Sequence, residues 1–149
     1  MGNIAGLVGD AYVRSGRYAT ALEYVDQALR VSTHTGEVSM DAELHRLRGV
    51  ARSAPPMADT KSAEEDFLRA IEIARSQAAK LWELRAATSL ARLWLQQGKS
   101  VAALDLLRQV CAWFTAGCAL PDLVEAEILI KELIPAAGVT RGDCTTMAG

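Results

Sequence analysis

Hydrophobic residues return every three or four positions along most of the chain, and this spacing predicts amphipathic α-helices. Residues 15–31 read SGRYATALEYVDQALRV, and their inward positions combine the small Ala21 and Ala28 with the larger Val25. Alanine at such positions lets two antiparallel helices approach to about 8–10 Å, while the larger neighbour fills the adjoining groove. The segment is therefore predicted to be a helix that crosses a partner helix closely.

Two later segments repeat this order of a small, a large and a small or β-branched residue. The corresponding residues are Ala63, Phe67 and Ala70 in segment 60–75, and Ala103, Leu107 and Val110 in segment 97–113. The spacing is 42 residues from Ala21 to Ala63 and 40 residues from Ala63 to Ala103. A pattern that returns at a nearly constant period predicts helical hairpins stacked in an array.

Each of these segments follows another helical pattern, so three helix hairpins are expected. The predicted repeats are residues 3–36, 37–79 and 80–117, followed by a terminal helix over 121–134. The helical domain would span 1–134, and the small and polar stretch 135–149 would be a disordered tail. We therefore expect an all-α fold, consisting of an α-α superhelix of three antiparallel hairpins plus a C-terminal helix.

The predicted helix ends rest on turn chemistry. Gly16 and Gly98 suit the left-handed position after a helix. THTGE at 33–37 is predicted to be a turn. The remaining boundary residues are Pro55 and Pro56, which stop one helix, Asp59, Thr60 or Ser62, which can cap the next, and Pro121 and Pro135, which begin and end the terminal helix.

The composition excludes several classes of protein. The net charge is −2 with both signs interspersed, whereas a nucleic-acid-binding protein would show a basic stripe. Charges interrupt the apolar runs, so no membrane span is predicted, and the first residues do not form a secretory signal. The three cysteines, Cys111, Cys118 and Cys144, lack C-x-x-C spacing, which argues against a disulfide framework or a zinc site. We expect a cytoplasmic protein with reduced thiols.

No catalytic constellation emerges from the sequence. The GKS at 98–100 lacks the glycine of a phosphate-binding loop, since Leu93 stands at that position. His34 is expected to be a solvated turn residue, and His45 a polar residue on a helix face. The RGD at 141–143 is expected to be a coincidence in the tail. We therefore predict no enzyme activity, no metal and no cofactor; an unrecognised hydrolytic site is the weakest alternative.

The small and large residues of the hairpins resemble the tetratricopeptide repeat (TPR). Repeat one supplies Val8, Gly9, Tyr12, Gly16, Tyr18, Ala21, Val25, Ala28 and Leu29; repeat two supplies Gly49, Ala63, Phe67, Ala70 and Ile71; repeat three supplies Leu90, Ala91, Trp94, Gly98, Ala103, Leu107 and Val110. The usual repeat has about 34 residues, so spacings of 40 and 42 residues resemble a longer variety found in large bacterial regulators.

A narrower resemblance covers roughly residues 1–134 and is most specific over 67–133. It is to the C-terminal helical region of bacterial proteins that join a class III adenylate/guanylate cyclase or a DNA-binding module to a switch ATPase domain. The resemblance implies that the chain is a regulatory tail, or a fragment, of such a protein. No cyclase or ATPase residue lies in this stretch.

In TPR arrays the first helix of each hairpin lines a concave groove. The resemblance thus implies a groove formed by the outward residues of these helices: Asp10, Arg14, Glu43, Arg46, Arg85, Thr88, Arg92 and Gln96. The arginines could take an acidic peptide bidentately, or they could be ordinary solvated arginines paired with Glu43 or Asp10. The family's carboxylate clamp needs a lysine and an asparagine where Gly6 and Asp10 stand, which argues against chaperone-tail binding.

The expected function is a non-enzymatic protein–protein interaction or regulatory module that binds a peptide or protein segment in this groove. The alternative is a sensor for a small anionic ligand. We expect neither nucleic acid nor membrane as a partner of this region. Residues 4–13 are mostly apolar, although arrays normally protect their ends with polar caps. We therefore expect an upstream repeat or a second copy, as in a homodimer, to cover this face.

Overall fold

The computed structural model describes residues 2–56, 58–115 and 118–139. Over these residues the chain forms helices and no strand, which confirms the all-α prediction. The seven helices are α1 Gly2–Arg14, α2 Tyr18–Thr35, α3 Asp41–Ser53, α4 Thr60–Ser76, α5 Lys80–Gln96, α6 Ser100–Cys111 and α7 Pro121–Ala136. None of the helices in this described part is both long enough and apolar enough to cross a membrane.

Most helix ends follow the predicted turn chemistry. Gly16 and Gly98 have φ of 73° and 76°, in the left-handed region that glycine adopts readily. The α3 helix ends at Ser53, before the two prolines. Asp59 caps α4, because its Oδ1 accepts a hydrogen bond of 3.1 Å from the backbone N–H of Ser62.

Two predicted boundaries are wrong. The segment 33–37 is not wholly a turn, because α2 continues through Thr35 and ends at Gly36, which has φ of 72°. Pro135 does not end α7, because a proline in the last turn removes only one backbone hydrogen bond and Ala137 N–H still donates to the Leu133 carbonyl at 2.8 Å. The predicted tail beyond residue 139 lies outside the described residues.

The helices pack in two unequal rows. Each helix contacts the next one along the chain, and the odd-numbered helices also contact each other in the order α1, α3, α5, α7. Over the described residues, the even-numbered helices α2, α4 and α6 make no such contacts with one another. The odd-numbered helices therefore form a continuous layer, whereas the even-numbered ones stand apart on the other side.

The alanines predicted at the helix crossings are all buried. Ala21, Ala63 and Ala103 have no exposed surface. A glycine in the preceding helix brings the backbones still closer at Gly49, where an added Cβ would lie 2.7 Å from the ring of Phe67. The large residue of α4 thus occupies the space that a side chain on α3 would need.

The core is thick at one end of the molecule and thin at the other. The main cluster contains buried residues of α4, α5, α6 and α7, among them Phe67 and Leu90. A separate small cluster contains only Val25, Leu44 and Leu47 as buried members. Among the residues of α1 whose burial is described, only Gly6 and Gly9 are buried. The α1 helix therefore buries little apolar surface of its own.

Replacing Gly49 with alanine tests the α3–α4 crossing. The added methyl would meet the buried Phe67 ring, and we expect a net loss of about 1–2 kcal/mol of unfolding free energy, because overpacking exceeds the gain of about 1 kcal/mol in helix propensity. Urea denaturation measures the loss.

The matched control is Gly9→Ala, whose Cβ would lie 3.0 Å from the movable methyl end of Leu47. We expect this variant to be nearly neutral. The double variant Gly49→Ala, Phe67→Leu should lose less unfolding free energy than the sum of the two single losses, because the smaller leucine leaves room for the added methyl. Strict additivity would mean that Gly49 and Phe67 do not restrain each other.

Candidate functional site

The predicted groove residues lie on the layer formed by the odd-numbered helices, and most of them are joined by ion pairs. Arg14 Nε lies 2.7 Å from Asp10 Oδ2 and forms an ion pair with it within α1. Arg46 of α3 binds Glu43 bidentately, through Nε at 2.9 Å and Nη2 at 2.7 Å. Its Nη2 also lies 3.7 Å from Asp10, which links α3 to α1.

Arg85 extends the same network across three helices. Its Nη1 donates to Glu43 Oε1 of α3 at 3.2 Å, and its Nε donates to Asp122 of α7 at 3.3 Å. Arg92, two turns further along α5, pairs with Glu125 of α7. The carboxylates and guanidiniums of this face, which we call the odd-helix face, therefore tie α1, α3, α5 and α7 together.

Two of the predicted residues are not exposed as expected. Thr88 is buried, and its hydroxyl donates a hydrogen bond of 2.8 Å to the Leu84 carbonyl within α5. Thr88 therefore does not line a groove. Glu43 is also buried, because Arg46 and Arg85 cover its carboxylate. Gln96 is exposed at the end of α5.

Burial and pairing act in opposite directions on Arg46. Desolvation favours the neutral form of its guanidinium, but the hydrogen bond and charge of Glu43, together with the charges of Asp10 and Asp122, outweigh desolvation, so the pKa of Arg46 is raised above its ordinary value. The Arg46–Glu43 pair is therefore a fixed, charged element of this face, with only 13% of the arginine side chain exposed.

A cavity of about 230 Å³ opens on the odd-helix face between α1, α3 and α5. Its polar lining includes Asp10, Arg14, Glu43 and Arg85, and its apolar lining includes Leu7 and Trp82. Glu43 already accepts hydrogen bonds from arginines, and Asp10 is ion-paired with Arg14 and Arg46.

Within the described residues, the Nη atoms of Arg14 and the Nη2 of Arg85 donate to no partner. A guanidinium carries five N–H donors. The cavity therefore offers spare donors beside an indole.

The α7 carboxylates were not predicted to belong to this face. Asp122 and Glu125 were attributed to the positive end of the helix dipole, yet they pair with Arg85 and Arg92. The sequence held no local signal for these pairs, because only the packing of α7 against α5 brings the acids to the arginines. The same is true of Trp82 and Leu7, since only the folded structure shows that both line one cavity.

A second charge cluster lies where α2, α3 and α4 meet. Asp66 is buried and accepts hydrogen bonds from Arg48 at 2.7 and 2.9 Å and from Arg52 at 2.8 Å. Arg48 also donates to Asp26 of α2 at 3.1 Å. The Nδ1 of His45 lies 3.2 Å from Arg48 and 3.5 Å from Asp66, so this histidine belongs to the cluster, as a polar residue of the α3 face.

Burial alone would raise the pKa of Asp66. The hydrogen bond of His45 and the hydrogen bonds and charges of Arg48 and Arg52 outweigh burial and lower this pKa below its ordinary value of 3.8. The α2, α3 and α4 helices are thus held by a carboxylate that stays ionised at neutral pH.

The described cysteines and histidines do not form a metal site. Cys111 and Cys118 are half-buried, and burial together with the charge of Glu127 raises the pKa of the Cys111 thiol. Raised thiol pKa values disfavour the reactive thiolate. Among the residues placed by the structure, no group of three potential metal ligands occurs. Cys144 and the RGD at 141–143 lie outside the described residues.

Comparison with protein-family models, with curated proteins and with solved structures gives no match for this chain. The geometry described above therefore provides the basis for a functional proposal.

The pH dependence of stability tests the Asp66 cluster. The pKa of Asp66 is lower in the folded protein than in the unfolded chain. Its contribution to the unfolding free energy is therefore fully present at a pH above the ordinary pKa and is lost as the pH falls through the folded pKa. We expect Asp66→Asn to cost roughly 2–3 kcal/mol at about pH 7, since Arg48 and Arg52 lose their buried partner. The cost should shrink as the pH falls below the ordinary pKa of 3.8.

Urea denaturation at several pH values measures this difference. Asp105→Asn, a change of an exposed acid on α6, is the control and should leave the stability at neutral pH nearly unchanged. A cost for Asp66→Asn that did not vary with pH would show that the aspartate acts by shape and not by charge.

Proposed function

We propose that the chain is a non-enzymatic interaction module whose odd-helix face binds a protein segment. In this proposal the three hairpins are successive copies of one TPR-like repeat, stacked into an α-α superhelix. The observation that carries the proposal is the unequal packing of the two rows, in which odd-numbered helices contact one another and even-numbered helices do not.

Unequal packing supports a curved array. When one row of helices is closely packed and the other is spread apart, the stack bends towards the close row. The concave side is then the odd-helix face, which carries Arg14, Arg85 and the cavity between α1 and α5. Extended concave surfaces of this kind are what helical repeat proteins use to hold a partner.

The ion pairs determine what such a surface can recognise. The four arginines of the odd-helix face are matched by four carboxylates, so the face has no large net charge. Recognition would therefore depend on individual N–H donors at fixed positions and on apolar contact, and not on a general positive charge of the face. The spare donors of Arg14 and Arg85 would bind carboxylate or carbonyl oxygens of the segment, while Trp82 and Leu7 would pack against an apolar side chain.

A sensor for a small anion is the second candidate. The cavity of about 230 Å³ is small, and it brings spare guanidinium donors beside an aromatic wall. These features favour a compact ligand with one acidic group. A place in a bacterial signalling or transcription-regulating protein remains a further proposal, supported only by the sequence resemblance over 67–133.

Screening the full chain against a peptide array and a panel of small anions tests the proposal. We expect peptides to bind, and Arg14→Ala to weaken that binding by about tenfold or more, because it removes donors at the cavity. Titration calorimetry or fluorescence anisotropy measures the effect. Arg14 is 74% exposed, so this change should leave the fold intact.

The matched control is Arg69→Ala on α4. Arg69 is 54% exposed and pairs with Glu72 on its own helix, as Arg14 pairs with Asp10, but it lies on an even-numbered helix. Equal weakening by both variants would contradict the odd-helix face as the binding surface. Binding of small anions without binding of any peptide would favour the sensor.

A further inference from the structure

One stripe along α1 is apolar and uncharged, and two of its three residues are exposed. It consists of Ile4, Val8 and Ala11, which follow one side of the helix at i, i+4 and i+7. Ile4 is 62% exposed, Ala11 is exposed and Val8 is partly buried. Exposed apolar side chains are common singly, whereas a contiguous exposed apolar patch indicates an interaction surface.

The same positions are covered in the two following odd-numbered helices. The register comes from the helix crossings, since a Cβ at Gly9 would approach Val25 as a Cβ at Gly49 would approach Phe67. In this register Ile4, Val8 and Ala11 correspond to Leu44, Arg48 and Ala51 of α3 and to Ala86, Leu90 and Leu93 of α5. The five apolar residues among these six are all less than 5% exposed.

An even-numbered helix provides the cover in both cases, because α2 packs on α3 and α4 packs on α5. The α2 helix is antiparallel to α3. The Ser32 hydroxyl, late in α2, donates a hydrogen bond of 2.6 Å to Asp41 at the start of α3, while Arg48, later in α3, donates one of 3.1 Å to Asp26, earlier in α2. The stripe on α1 is thus a packing surface for one antiparallel helix. At its centre Val8 replaces Arg48, so the covering helix must be apolar there.

We propose that this helix is α1 of a second copy of the chain, packed antiparallel across a two-fold axis. The face of α1 itself has the required features, being apolar at i, i+4 and i+7 and uncharged at its centre. In this arrangement Val8 meets its own counterpart, and Ile4 of each copy meets the small Ala11 of the other. A large side chain opposite a small one is what close helix packing needs, and a two-fold contact closes without forming a filament.

The thin core beside α1 supports this assignment. A cavity of about 310 Å³ opens between α1 and α2, lined by Ile4, Ala28, Val31 and Leu44. Val31 is 53% exposed, and the nearby cluster has only three buried members. A second copy would cover this opening and extend the small cluster, which would supply the burial that α1 lacks.

The inference uses the repeat register proposed above but does not depend on peptide binding. The proposed dimer contact does not use Arg14, which pairs with Asp10 within α1. Failure of the dimer test would leave the binding proposal intact, and failure of the binding test would leave the dimer intact.

Sedimentation velocity over about 1 µM to 1 mM tests the dimer, because an interface of one helix pair is small and its affinity is expected to be modest. We expect a reversible dimer. Ile4→Glu should raise its dissociation constant by about 30-fold or more, since a charge would be buried unpaired. The matched control is Ile128→Glu on α7, where the isoleucine is 53% exposed at the other end of the molecule.

A charge-pair variant tests the antiparallel geometry. Ile4→Lys and Ala11→Glu should each weaken the dimer, and the double variant should restore it, because each lysine would then face a glutamate of the other copy. Circular dichroism melts verify that every variant is folded. A strict monomer at all concentrations, a dimer weakened equally by Ile128→Glu, or a double variant that stays monomeric would each overturn the proposal.

Discussion

The contact of Phe67 with the bare backbone at Gly49 illustrates the constraint on which the whole fold depends. Helices with large side chains at every crossing would stand too far apart for their neighbours to touch the next hairpin. Glycine or alanine on one helix, opposite a larger residue on its partner, removes this obstacle. The buried Ala21, Ala63 and Ala103 serve the same purpose along the even-numbered helices. Each hairpin then becomes thin enough for the next odd-numbered helix to lie beside the previous one.

That lateral contact determines where the charges go. Once α1, α3, α5 and α7 lie side by side, arginines on one helix reach carboxylates on the next, as Arg85 reaches both Glu43 and Asp122. The resulting network stabilises the relative positions of four helices and leaves some guanidinium donors unused. A surface held in this way is pre-organised, so a bound segment would lose little free energy to ordering the protein. Packing of small residues and the proposed binding surface are therefore linked through the same row of helices.

Much of the fold could be predicted from the sequence, because its signals are local. The helix period, the glycine ends at Gly16 and Gly98 and the cap of α4 act within a few residues. The structure confirms the first two and selects Asp59 among the three predicted capping residues. Pairing of the arginines with Glu43 or Asp10 was one of the two predicted alternatives, and Arg14, Arg46 and Arg85 form such pairs. The partners on α7 were not predicted. Asp122 and Glu125 belong to the odd-helix face only because α7 packs against α5, and no local pattern records that contact. Thr88 was misjudged for a similar reason, since helix periodicity cannot tell a solvent-facing position from one that a neighbouring helix covers.

The central claim is that the closely packed odd-numbered row bends the stack towards the odd-helix face. Spin labels at Arg14 and Gln96 span α1 to α5, and labels at the equivalent exposed residues Glu23 and Asp105 span α2 to α6. Pulsed electron resonance on these two pairs, in a background without the native cysteines, measures the curvature directly. The account predicts a clearly shorter distance between Arg14 and Gln96 than between Glu23 and Asp105. Equal distances, or a shorter distance on the even-numbered side, would contradict it.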